Sequence, residues 1–366
     1  MKKQLKNIIP ILVLLLITQF AFSQKSTNGL IDQSKYLETI KVADNIYVFK
    51  PKIDWVHGNG VAIIGNDGVF FIDTFIQTNY AEDAIKSLKK ITKFPVKFVL
   101  NTHWHYDHII GNFVFKKAFP DCKFVMHDAT YTQAAKSVKA YIEKEPKSII
   151  DFSQLEKELK EGKTSNGFEL KGNMRAFWEW QLREAKEYAK SYKGNQLVNA
   201  DITFDDTMTF RWGDQTIQLI HAADNGHSVG DVIVWIPEKK LVVTGDIVVA
   251  PTPYTTYTNI TGLMKSIQKV IDMNPAIIIP GHGEVQYDVK YPKLVKEAIA
   301  AYMGEAEKAA DQKIPLRDAR RDIKIADIDA GFSTANDETK EWAYRSFFIN
   351  WIFYHVYKAK GALPTN

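Results

Sequence analysis

The chain has 366 residues, 45% apolar and 25% charged, the balance of a globular protein with enough material for one large core or two ordinary ones. Its 47 Lys and Arg against 43 Asp and Glu give a net charge of +4. Three of those positives, Lys2, Lys3 and Lys6, fall in the acid-free first 23 residues, so the rest is near neutral and gives no electrostatic case for a nucleic-acid partner.

The first residues read as an export signal. Lys2, Lys3 and Lys6 form a basic start, Ile8 to Ile17 is an apolar run interrupted only by Pro10, and Ala21-Phe22-Ser23 offers small residues at the two positions a cleavage site needs. The apolar run is short for a membrane span of about 20 residues. No cysteine sits near the cut, which argues against a lipid anchor. The expectation is a signal peptide over 1–23, a periplasmic or secreted protein, and no stable membrane anchor after cleavage.

Residues 38–75 read as β structure. Ile46-Tyr47-Val48-Phe49 is a strand, and Val61 to Gly65 and Val69 to Asp73 form a hairpin across Asn66-Asp67-Gly68. Ala81, Ala84, Ile85 and Leu88 share one face of a helix over 78–91. Strands follow at 96–100 and 123–126. The lone cysteine, Cys122, stands at the entry to the second of these and reads as buried and structural; a single Cys forms no internal disulfide.

Residues of about 128–195 are rich in Lys, Glu, Ala and Gln and read as a helical insertion, with an amphipathic helix over 179–192. Its aromatics, Phe177, Trp178, Trp180, Tyr188 and Tyr192, suit either packing on the domain or a lid. β structure returns at 208–210, 216–221, 231–236 and 241–244. A helix over 260–272 and a short strand over 276–279 follow, then helices over 292–312 and 336–358. The last is apolar nearly all round, which predicts burial against the body or against a second subunit, a possible homo-oligomer.

Chemistry concentrates at the ends of these strands. Strand 96–100 delivers Asn101-Thr102-His103-Trp104-His105-Tyr106-Asp107-His108, which contains His-x-His-x-Asp-His. Strand 216–221 precedes His227, strand 241–244 precedes Asp246, and strand 276–279 precedes His282. Five of the nine histidines lie in these three short stretches. Neutral imidazoles with carboxylates are the donor set for zinc, and the same set accepts manganese or iron.

In these motifs the chain resembles the metallo-β-lactamase superfamily, over residues 38–290 with 291–366 as a C-terminal helical extension. The resemblance implies an αββα sandwich: two mixed sheets face to face, with helices on both outer faces. It implies a first zinc on His103, His105 and His227, a second on Asp107, His108 and His282, and Asp246 as the bridging carboxylate. Asp73, at its strand end, matches an aspartate that steadies the His loop. Zinc lowers the pKa of a bound water from about 16 to about 7, so the implied chemistry is attack by hydroxide on a small-molecule substrate, with Asp107 hydrogen-bonding that hydroxide.

Asp246 replaces the thiolate of one β-lactamase subclass and the usual serine of another, and is more like the glyoxalase, lactonase and nuclease branches. His105 stands where diiron flavoproteins carry Glu, which disfavours redox use. Tyr254 and Tyr257, in the proline-bearing loop after Asp246, are candidates to donate a hydrogen bond to an oxyanion. The expected function is hydrolysis of a small ester, lactone, thioester or amide. The alternatives are a true β-lactamase and a non-catalytic binding protein stabilised by its metals.

Overall fold

The computed structural model describes residues 29–52, 57–143, 152–165, 167–191, 194–222, 226–321, 323–332 and 337–363. The export signal expected over 1–23 lies outside these residues.

The described residues form two sheets. The first runs in chain order: β1 (Leu30–Gln33), β2 (Leu37–Ala43), β3 (Ile46–Pro51), β4 (Gly60–Ile64), β5 (Val69–Ile72), β6 (Val96–Leu100), β7 (Lys123–His127) and β8 (Ile202–Phe204). Neighbours are antiparallel up to β5 and parallel from β5 to β8. The change follows from the connections. Four residues turn β4 into β5, with the Gly65 N–H donating to the Gly68 carbonyl at 2.8 Å. A parallel partner needs a crossover, and α1 (Thr78–Ile91) provides it between β5 and β6.

The second sheet is built from β9 (Thr207–Trp212), β10 (Gln215–His221), β11 (Val232–Ile236), β12 (Leu241–Val243) and β13 (Ile277–Ile279). Only β12 and β13 are parallel, and α7 (Ile260–Asp272) joins them.

The central strands of the first sheet are buried on both faces. β4 and β5 have no exposed position, which is why their sequences are continuous apolar runs rather than alternating ones. Inner-face residues of the first sheet (Val48, Val61, Ile63, Phe70, Ile72) meet Ile217, Leu219, Val234, Ile236 and Val243 of the second in one core. A second core lies under α1 and, after the short α2 (Tyr106–Ile109), under α3 (Asn112–Ala118), and a third under α7, α8 (Lys290–Asp311), the short α9 (Leu316–Ala319) and α10 (Ala326–Asp329), and the C-terminal helices. The result is the expected αββα sandwich.

The segment between β7 and β8 is helical among its described residues: α4 (Asp128–Glu143), α5 (Phe152–Glu161) and α6 (Gly172–Ser191). Its Trp178 packs edge-on against Trp342 at 4.8 Å. The single helix expected over 336–358 is α11 (Glu338–Ala343) and α12 (Asn350–Ala359), joined by a π-helical turn over Tyr344–Ile349. Asp337 caps its start by accepting from the Thr339 and Lys340 N–H groups. Its apolar girth has two uses. Tyr344, Phe348, Ile352, Phe353 and Val356 are buried in the third core, while Trp342, Phe347, Trp351 and Tyr354 are half-buried. Among the described residues, no helix is long and apolar enough to cross a membrane.

Cys122 is 1% exposed, and burial pushes its thiol up to about 12. Thiolate is the reactive form, so the native protein is expected to leave a thiol reagent such as dithionitrobenzoate unreacted at neutral pH, and to react with one equivalent once denatured. Rapid reaction of the folded chain would contradict this burial.

Candidate metal centre

The centre sits where both sheets end. Asp73 follows β5, the segment 103–108 follows β6, and His227, Asp246 and His282 follow β10, β12 and β13. Two donor clusters result, each with its ligand atoms within 4.8 Å of one another: His103, His105, His227 and Asp246, and Asp107, His108, Asp246 and His282. Asp246 belongs to both. Its Oδ2 lies 3.4 Å from His227 Nε2 and 3.8 Å from His103 Nε2, while its Oδ1 lies 3.3 Å from His108 Nε2 and 3.4 Å from His282 Nε2. Within the first cluster, His105 Nδ1 is 2.9 Å from His227 Nε2; within the second, Asp107 Oδ2 is 2.9 Å from His282 Nε2.

The ring orientations have an identifiable cause. Asp73 adopts φ +57°, a turn that short polar side chains tolerate, and this sends its carboxylate back toward the start of the His segment. One oxygen accepts from the Thr102 N–H at 2.8 Å. The other accepts from the Thr102 hydroxyl at 2.7 Å and from His108 Nδ1 at 2.9 Å. The Thr102 hydroxyl, its proton committed to Asp73, is left to accept from His103 Nδ1 at 3.0 Å. Both Nε2 lone pairs are thereby turned into the centre, and one carboxylate fixes a histidine in each cluster.

The backbone is fitted equally closely. A Cβ at Gly281 would lie 2.0 Å from Asp246 Oδ1 and 2.6 Å from the Gly245 carbonyl carbon. Only glycine lets the 281 backbone pass behind the Asp246 carboxylate. A Cβ at Gly58 would lie 2.6 Å from the His108 ring.

The donors fit a pair of cations. His103 Nε2 and Asp246 Oδ1 are buried with no hydrogen-bond partner. Burial holds His103 far below the ordinary imidazole range, and holds His227 at about 3, so both rings are neutral. Burial opposes the charge on Asp107 and on Asp246, yet the facing histidines keep both well below the carboxylate range. Burial likewise opposes charge on His282, but Asp246 and Asp107 raise it to about 9. The two carboxylates thus favour positive charge in the centre, which bound divalent cations would supply by displacing protons.

Of the two tyrosines, Tyr254 is half-buried, its ring 5.8 Å from that of His227 and 5.7 Å from that of Phe347. Tyr257 is 77% exposed and rests on Trp351 at the outer rim. The centre opens on the side of the first cluster. A cleft of about 700 Å³ runs from His105 and His227 past Trp104 and Tyr257 to Trp351 and Tyr354. A smaller cavity beneath α6 starts at His57.

Sequence reasoning missed Thr102 and Asp231. Asp231 ties down the His227 loop by accepting from the Ser228 N–H and hydroxyl. Its signal was the Ser228-x-x-Asp231 spacing of a side-chain-closed turn. Of the histidines outside the motifs, His57 is buried beside the centre, whereas His127, His221 and His355 are not part of it.

Burial lowers His57 from 6.5 to about 4, although Asp107 opposes this. Between those values the unfolded chain binds a proton that the folded chain refuses, so the stability His57 contributes is present above about pH 6.5 and is lost as pH falls toward 4. Wild type and His57→Gln are therefore expected to differ less favourably for wild type at pH 4.5 than at pH 7.5 in paired thermal melts. A difference independent of pH would refute this.

A family model described as the metallo-beta-lactamase superfamily matches residues 53–282. No curated protein sequence matches the chain. Among solved structures, a metallo-beta-lactamase from Pontibacter korlensis is similar with a TM-score of 0.49 at 18% identity, covering 70% of this chain and 95% of that one. The DIM-1 metallo-beta-lactamase is similar with a TM-score of 0.47 at 18% identity, over 72% and 97%. The inverting sec-alkylsulfatase Pisa1 from Pseudomonas sp. reaches a TM-score of 0.60 at 14% identity, covering 88% of this chain and 50% of that one. This likeness concerns the fold alone, and it takes in more of the chain than residues 53–282 comprise.

Proposed function

The chain belongs to the metallo-beta-lactamase superfamily, and from that footing we propose that it is an exported hydrolase using two zinc ions on a small carbonyl substrate, an ester, lactone, thioester or amide. The observation that carries the reading is Asp246, whose two oxygens each face a separate histidine set. Two bound divalent ions would supply a nucleophilic oxygen at neutral pH and Lewis-acid polarisation of the bond to be broken.

The protein's own residues do the rest. His103, His105 and His227 would hold one ion, and Asp107, His108 and His282 the other. Thr102 and Asp73 keep His103 and His108 in the tautomers that ligation needs. The Asp107 side chain is 22% exposed against 7% for Asp246, so Asp107 faces the substrate side and is placed to take up a proton there. Burial pushes the Tyr254 hydroxyl up to about 12, which keeps it protonated and able to donate to an oxygen gaining charge. Tyr257, on the rim, suits contact with the substrate's outer part.

The test is a panel of chromogenic substrates presented to the mature chain (residue 24 onward) loaded with zinc, beside metal analysis. Turnover of a carboxylic ester or lactone, abolished by chelator and by Asp107→Ala, supports the reading. Turnover of a chromogenic cephalosporin in its place would make the protein a β-lactamase. A secondary-alkyl sulfate belongs in the panel because of the alkylsulfatase likeness. Full biological function in Asp107→Ala with no turnover of anything would leave a metal-stabilised binding protein.

A further inference from the structure

The cavity beneath α6 has a volume of about 210 Å³ and is not accounted for by the metal ligands. Its walls are Ile76, Tyr141, Leu155, Trp180 and Tyr188, a largely apolar and aromatic lining. It adjoins the second cluster on two sides. His57, on one side, precedes Gly58, which lies against the His108 ring. On the other, Tyr141 stacks at 4.1 Å on Tyr106, the residue before Asp107. The helix that roofs it, α6, lies in the helical segment between β7 and β8, so the cavity is formed outside the two sheets.

Three polar groups lining this space have buried atoms without hydrogen-bond partners: both ring nitrogens of His57, Gln77 Oε1 and Glu184 Oε2. His57 is 2% exposed and Gln77 9%. Gln77 occupies the N-cap position of α1 yet its side chain makes no cap bond. Lys35, whose charge Glu184 feels, donates instead to the Tyr36 hydroxyl. Leaving such buried groups unpaired is costly, on the order of 1–3 kcal/mol for each. A carboxylate and an amide oxygen among aromatic rings make a set of acceptors that an ammonium satisfies, by hydrogen bonds and by cation–π attraction.

We infer that this cavity binds an amine-bearing arm of the substrate, an apolar body ending in an ammonium held by Glu184 and Gln77, with His57 between it and the metal centre. The assignment of this arm to the substrate rests on the hydrolase reading; the binding of an amine does not.

The probe is phenethylamine, titrated calorimetrically into the zinc-loaded mature chain, with 3-phenylpropanoate as a control of similar shape and opposite charge. The expected result is saturable binding of one amine, with the carboxylate at least tenfold weaker. Glu184→Gln is expected to weaken the amine at least tenfold, and Ala185→Phe, which fills the cavity from α6, to abolish binding. Glu184→Gln keeps the side-chain shape, so it remains informative if Ala185→Phe does not fold. No binding to wild type, equal binding of both probes, or an unchanged affinity in Glu184→Gln overturns the inference. Amine binding by a protein that hydrolyses nothing would sink the hydrolase reading and leave the pocket standing; hydrolysis without amine binding would do the reverse.

Discussion

Asp246→Ala is expected to strip the centre of both ions and to abolish turnover while leaving the sandwich folded. Among the described residues, the carboxylate is the one group that belongs to both clusters, so its loss opens both at once. Removing groups that merely orient ligands typically costs 10–100-fold in metal affinity or activity, and loss of a bridging ligand is expected to exceed about 100-fold. The discriminating measurement is a thermal melt with and without zinc. Wild type gains about 4 kcal/mol when the ion is present at about a thousand times its Kd. The variant is expected to melt at one temperature whether or not zinc is added, and to hold less than one ion per chain. Two retained ions would show that Asp246 does not bridge.

Asp73→Ala is expected to damage stability as well as metal binding. The buried carboxylate accepts from the Thr102 N–H, the Thr102 hydroxyl and His108 Nδ1. Each stranded donor costs about 1–3 kcal/mol, so the metal-free protein should lose several kcal/mol in a denaturant titration. Metal affinity should fall about 10–100-fold at both positions, because His103 and His108 both lose their orientation. Thr102→Val separates the two effects. It cuts the link to His103 but leaves Asp73 against His108, so only the first ion should weaken. A Thr102→Val protein that loses both ions equally, or neither, would contradict the chain of hydrogen bonds from His103 to Asp73.

Much of this arrangement was legible in the sequence where one residue type has one physical use. The helix over 78–91 and the strand over 96–100 appear with those bounds, since a clean apolar face and a short β-branched run admit few alternatives. The seven candidate ligands meet in space as their strand-end positions implied. What stayed hidden depends on tertiary packing. β1 and β8 are short strands, with the polar pattern of Leu30–Gln33 and three residues at Ile202–Phe204. Their pairing comes from neighbours already in place. The π-helical turn at Tyr344–Ile349 is likewise silent locally; it bends no pattern of apolar residues and shows only in the backbone. Tyr254 and Tyr257 look alike three residues apart, yet one lies at the centre and the other in solvent. Only the path of the 251–259 loop separates them.

The first sheet uses strands from residues 30–204 and the second strands from 207–279, so the sandwich is made of two successive leaves of the chain. Each set of ligands draws from both: His103 and His105 from the first leaf with His227 from the second, Asp107 and His108 with His282. Neither leaf alone carries a complete set. A chain whose second leaf is missing or misdocked keeps only two of the histidine and aspartate donors of each cluster and lacks Asp246. Metal retention would therefore act as a certificate of assembly, issued only when both leaves are finished and in register.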